Sequence, residues 1–100
     1  MEVAEEVFSI LKKDFEFPSE IEVKDQGYLL QLLVPLVSRM LDRDFERLLQ
    51  ICYRIDLGEN KLKKILHESS PEEMAKDLSI AIIERQILKI EIRRKYSDFM

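Results

Sequence analysis

One hundred residues supply enough chain for one small domain with a two-layer core and too little for a second. With 46% hydrophobic and 36% charged residues, two Gly and three Pro, the composition argues against a disordered or turn-rich β chain and for a helical globule. A net charge of −4 excludes the overall positive field that attracts nucleic acid or an anionic membrane, and a single cysteine, Cys52, excludes an intrachain disulfide or a multi-cysteine metal site.

The chain opens Met-Glu-Val-Ala-Glu-Glu, acidic where an export signal carries positive charge, so a cytoplasmic location is expected. A first amphipathic helix is predicted over about residues 2–13, with Val3, Val7, Ile10 and Leu11 on one stripe. Its early glutamates and late Lys12 and Lys13 match the helix dipole. Residues 14–25, "DFEFPSEIEVKD", read as an irregular linker without a role of its own, because Pro18 disfavours a helical Phe17 and Ile21 and Val23 alternate. From Tyr28 to Leu41 the chain is apolar almost all round, the pattern of a central helix, yet its apolar run is too short to span a bilayer. Pro35 lies inside it, and a kink or two short helices are expected there.

Asp42 or Asp44 offers a cap for a third helix, with Phe45, Leu48, Leu49, Cys52 and Ile55 turned inward and Gly58 ending it. A short fourth helix places Leu62, Ile65 and Leu66 inward and Lys61, Lys63 and Lys64 outward. The fifth opens on "SSPEE", with Ser70 as cap, Pro71 at the first helical position and Glu73 reaching back. Nothing breaks it before about Tyr96. The alternation in "LKIEI" allows a strand, but no Gly, Pro or Asn separates that stretch from the capped helix.

On a wheel of about 100° per residue, the apolar side chains of the fifth helix fall into two stripes on nearly opposite sides. One is Ile80, Ile83, Ile87 and Ile90, about 15 Å long. The other is Met74, Leu78, Ala81, Leu88 and Ile92, with Arg85 where another apolar residue is due and Ile82 and Tyr96 at its margin. A helix of this length spans roughly 39 Å and is expected to project beyond its neighbours. The pure isoleucine stripe is therefore expected to meet a partner, most simply a second copy in a homodimer. In the alternative, the helix threads the centre of a monomeric bundle whose first three helices cover both stripes. Glu84 and Arg85 interrupt the apolar run, and a register-setting ion pair is expected there, with Asp56, Asp44 or a glutamate of a neighbouring chain as the partner of Arg85.

Catalytic and metal chemistry finds little support. His67 is the lone histidine, placed where a cation favours a helix C-terminus. Cys52 reads as a buried thiol with no histidine in its own helix. The pairs Glu5/Glu6 and Glu72/Glu73 are adjacent on helices and point about 100° apart. Glycines only at 27 and 58 cannot form a phosphate-cradling loop. No enzyme, cofactor or metal site is expected. Residues 44–68 do have the outline of a helix-turn-helix, with Lys61, Lys63 and Lys64 on the second helix, although Arg54 stands where that motif packs a small residue. Lys89, Arg93, Arg94 and Lys95 add cations near the C-terminus, where they also stabilise a helix end.

The stretches "DFERLLQICYRIDLGENKLKKIL" and "AKDLSIAIIERQILKIEIRRKY" resemble a group of small helical bacterial proteins carrying a similar "LLYRID" segment and a downstream "IIERQ" helix. The likeness covers about residues 44–96, with Tyr53 to Asp56 and Ile83 to Gln86 at its centre. It implies an all-helical cytoplasmic protein and carries over no catalytic or binding residue. The sequence is thus expected to form an all-α bundle of four or five helices with a long C-terminal helix, one domain over residues 1–100. Its expected role is a non-catalytic interaction or assembly module that self-associates through Ile80, Ile83, Ile87 and Ile90. The alternative is a nucleic-acid-associated regulator using Lys61, Lys63, Lys64 and the C-terminal cations.

Overall fold

The computed structural model describes residues 2–97; the ends of the expected domain, residue 1 and residues 98–100, lie outside the described residues. Among those described the chain is all helical: α1 (Val3–Leu11), α2 (Gln26–Arg43), α3 (Phe45–Arg54), α4 (Glu59–Glu68) and α5 (Pro71–Ser97), with no strand. The stretch "LKIEI" is helix. At 27 residues, about 40 Å by its rise, α5 is nearly as long as the molecule's longest dimension, 43 Å.

α2 begins where Asp25 accepts a hydrogen bond from the Tyr28 amide at 2.8 Å, satisfying one of the first-turn donors. It runs unbroken through Pro35. Pro35 and Gln31, whose carbonyl loses its helical donor there, are both exposed, so water can take the place of the missing bond. On the opposite side Leu29, Leu33 and Val37, spaced by four, are fully buried. α2 and α5 are antiparallel. Gln26, Gly27 and Leu30 lie beside Ile80 and Ile83, and Pro35 and Ser38 lie beside Pro71 and Met74.

The linker contributes to the core, contrary to expectation. Phe15 and Val23 are buried, and Phe17 meets Phe8 edge to face with ring centres 5.0 Å apart. A segment without regular structure can still supply the large rings that close the end of a bundle.

α3 also departs from expectation. Its buried face is Leu48, Ile51, Cys52 and Ile55, while Phe45 is 41% exposed. Only Asp44 separates α2 from α3, so Phe45 sits at the outer corner between two helices. Nor does Gly58 end α3. The helix stops at Arg54 in a Schellman motif, with the Leu57 amide bonded to the Cys52 carbonyl and the Asp56 amide to that of Tyr53, each at 3.0 Å. Asp56 takes the left-handed position (φ 61°) that glycine usually fills. Gly58, at φ 101°, instead precedes α4.

α4 returns antiparallel along α5. Near the Ser69–Ser70 connection the Ser69 hydroxyl donates to Asp77 Oδ2 at 2.7 Å. At the far end Lys61 Nζ lies 3.7 Å from Glu84 Oε2. The Ser70 carbonyl accepts the amides of Glu73 and Met74, which starts α5.

Candidate interaction surface

Arg85 divides α5 into two halves with different surroundings. Its Nε donates to the Ile55 carbonyl at 3.2 Å and its Nη2 to Asp56 Oδ2 at 3.1 Å, so the guanidinium grips the turn between α3 and α4. The left-handed backbone at Asp56 presents both acceptors to it. This is the ion pair sought around Glu84 and Arg85, made within the chain, and Glu84 reaches Lys61 of α4.

The isoleucine stripe is not left in water. Ile83 and Ile90 are buried, at 4% and 1% exposure, and Ile80 and Ile87 are half-buried. The start of α2 covers the stripe's N-terminal part. α1 lies along its C-terminal part, where Glu6 Oε1 accepts from Arg94 at 2.9 Å. The expected partner interface at Ile80, Ile83, Ile87 and Ile90 is therefore corrected: these side chains belong to this chain's own core and its margin. The reason lies in Ser79 and Gln86. Both are buried, and the Ser79 hydroxyl is satisfied by the Ala75 carbonyl at 2.7 Å. The true inward face runs Ala75, Leu78, Ser79, Ile82, Ile83, Gln86 and Ile90. Treating its polar members as gaps splits one broad face into two stripes.

The second stripe is covered for half its length. Leu78 and Ala81 are buried, but beyond Arg85 the same side of the helix shows Leu88 at 45%, Ile92 at 43% and Tyr96 at 68% exposure. The cause is length. α4 has ten residues, roughly 15 Å, and its N-terminal end lies opposite Glu84, leaving this flank of α5 without a neighbouring helix among the described residues from Leu88 onward. Leu88, Ile92 and Tyr96 are spaced by four, so they form one ridge. Glu91 and Lys95 border it on one side, and Lys89 and Arg93 on the other.

The cations considered for nucleic acid are partly engaged by acids of the same chain. Lys61 reaches Glu84, Lys63 hydrogen-bonds Glu59 at 2.9 Å, and Arg94 meets Glu6. The hydrogen bond and charge of Glu59 hold the Lys63 ammonium above its usual pKa. Lys64, Arg93 and Lys95 are exposed and Lys89 is half-exposed, the two clusters standing on α4 and on the end of α5. Arg54, the residue out of place in a helix-turn-helix, pairs with Asp14 of the linker.

Cys52 is 1% exposed, and burial raises its thiol pKa to about 11, the behaviour of an inert core thiol. His67 is exposed in the last turn of α4. Among the described residues no group of three or more His, Cys, Asp or Glu side chains is gathered to hold a metal ion, and no helix is long and apolar enough to cross a membrane.

One feature escaped the sequence reading. Arg39, Arg43 and Arg47 stand around a cavity of about 240 Å³ between the linker and the α2–α3 corner. Their spacing of four was the available signal, interrupted by the helix break at Asp44. Compared with models of protein families, with curated sequences and with solved structures, the chain matches none.

Proposed function

We propose that this chain is a non-catalytic helical assembly module that self-associates through the C-terminal half of α5, in a reducing compartment such as the cytoplasm. What supports the reading is the Leu88, Ile92 and Tyr96 ridge, a continuous apolar strip beginning where α4 stops. A second copy is the occupant that fits. Ridges of residues spaced by four pack into the grooves of a like helix. Glu91 and Lys95 stand on one border and Lys89 and Arg93 on the other, so Glu91 of each copy has cations of the other within the same seam to pair with.

Area sets the strength. The three side chains expose about 300 Å² per chain, the size of the largest apolar patch on many monomers. Two copies together remove about 600 Å², less than the ~1,200 Å² of a standard specific interface. The association is therefore weak and concentration-dependent. The nucleic-acid reading draws less support, because three of its seven cations already face acids of this chain.

The test is sedimentation velocity from micromolar to millimolar protein, with wild type beside a Leu88→Glu, Ile92→Glu variant. Wild type is expected to gain mass with concentration while the variant stays a monomer of unchanged helicity. A wild type that remains monomeric at millimolar concentration refutes the reading.

A further inference from the structure

We propose that the cavity between the linker and the α2–α3 corner binds a small amphipathic monoanion, an aryl or short-chain carboxylate, with its apolar body on Phe15, Leu36 and Met40 and its carboxylate among Arg39, Arg43 and Arg47. The proposal is independent of self-association, since the cavity touches no part of α5.

Three observations carry it. The first is pairing. Arg54, Arg85 and Arg94 each meet a carboxylate of this chain, whereas none of Arg39, Arg43 and Arg47 lies within ion-pair distance of one among the described residues. Three guanidinium groups that could have turned to surface acids instead ring one cavity. Arginine is the side chain best matched to a planar carboxylate, through two parallel hydrogen bonds.

The second is the floor. Phe15 is buried, and Leu36 and Met40 are half-buried beneath the arginines. A ligand that is charged all over leaves this surface unused, whereas an apolar body covers it. The volume of about 240 Å³ suits one aromatic ring or a short alkyl chain.

The third is the count of charge. Asp14, Glu16 and Asp44 also line the cavity, and Asp14 is already held by Arg54. Against the three arginines stand Glu16 and Asp44, leaving a surplus of one positive charge. A single negative charge is accommodated, while a polyphosphate or nucleic-acid backbone meets two carboxylates as well as three guanidiniums. The ligand class is fixed by that balance together with the floor.

The experiment is an amide NMR titration of the full chain with sodium phenylacetate, its neutral isostere 2-phenylethanol, and inorganic phosphate as separate probes. Saturable shifts confined to Phe15, residues 36–44 and Arg47 are expected with phenylacetate. Phenylethanol and phosphate are each expected to bind at least about tenfold more weakly, the first lacking the charge and the second the apolar body. Arg39 and Arg43 are exposed, so an Arg39→Gln, Arg43→Gln variant keeps the fold, and it is expected to lose at least about tenfold in phenylacetate affinity. Shifts that do not saturate, that centre on Leu88 and Ile92, or that persist unchanged in the variant overturn the proposal. So does phosphate binding as tightly as phenylacetate, a result obtained without any variant.

Discussion

The two halves of α5 carry similar numbers of large aliphatic side chains and lie in different environments. From Pro71 to Glu84 the helix has α2 on one side and α4 on another; from Leu88 to Ser97 it keeps α1 but, among the described residues, has no helix on the flank that α4 covered. The contrast is between Ile82, fully buried, and Ile92, 43% exposed, ten residues apart on one rod. Exposure along α5 is set by where the neighbouring helices end, and hydropathy alone does not record that.

The sharpest way to break the comparison is to truncate the same side chain in both halves. Ile82→Ala is expected to cost about 3 kcal/mol in urea denaturation, as for a fully buried isoleucine that leaves a cavity. Ile92→Ala is expected to change stability by less than about 0.5 kcal/mol. Equal losses would mean that the C-terminal flank is covered after all. Ile90→Ala sharpens the point, since Ile90 lies in the C-terminal half yet is 1% exposed under α1, and a loss of about 2–4 kcal/mol is expected.

Next in size is a pH effect from the core beside the dividing turn. The Cys52 thiol moves from 9.0 to about 11 on burial. Its folded-state pKa is raised, so its contribution is fully present below pH 9 and is lost as pH climbs toward 11, where the unfolded thiol has ionised and the folded one has not. The loss is of the order of 2–3 kcal/mol. Unfolding curves of wild type and Cys52→Ala are expected to differ in slope across that window, and parallel slopes would show that the thiol is accessible.

Arg85 itself is expected to be worth about 1–2 kcal/mol. Arg85→Ala leaves the Ile55 carbonyl without its donor and frees the turn from α5, and chemical denaturation reads the loss directly. The smallest effect is expected at Asp56. Asp56→Gly removes a largely exposed ion pair but relieves a left-handed backbone, two terms of opposite sign, so the net change stays within about 1 kcal/mol. A much larger loss from Asp56→Gly would make the carboxylate, not the Ile55 carbonyl, the main anchor of Arg85.

The helices were legible in their number and their cores. Pro71 marks the start of α5, and the apolar period of α3 and α4 marks roughly where they run, because caps and periodicity are local properties of the chain; the Asp25 cap of α2 went unread inside the stretch taken for a linker. The ion pair was half legible: Arg85 in an apolar run demanded a carboxylate, and Asp56 was among those considered. The isoleucine interface was misread because Ser79 and Gln86 look like surface residues until their burial is known. The arginine cavity was missed because its arginines come from two helices and its floor from α2 together with Phe15 of the linker.

Sequence alone determined that this chain is all helical, that α5 is one uninterrupted rod, and that the rod has more apolar surface than one stripe can hold, since these follow from composition, capping and period. Tertiary structure decided which surface stays in water. The relative lengths and placements of α1, α2 and α4 enclose the isoleucines and leave Leu88, Ile92 and Tyr96 bare, and that outcome depends on contacts between residues far apart in the chain.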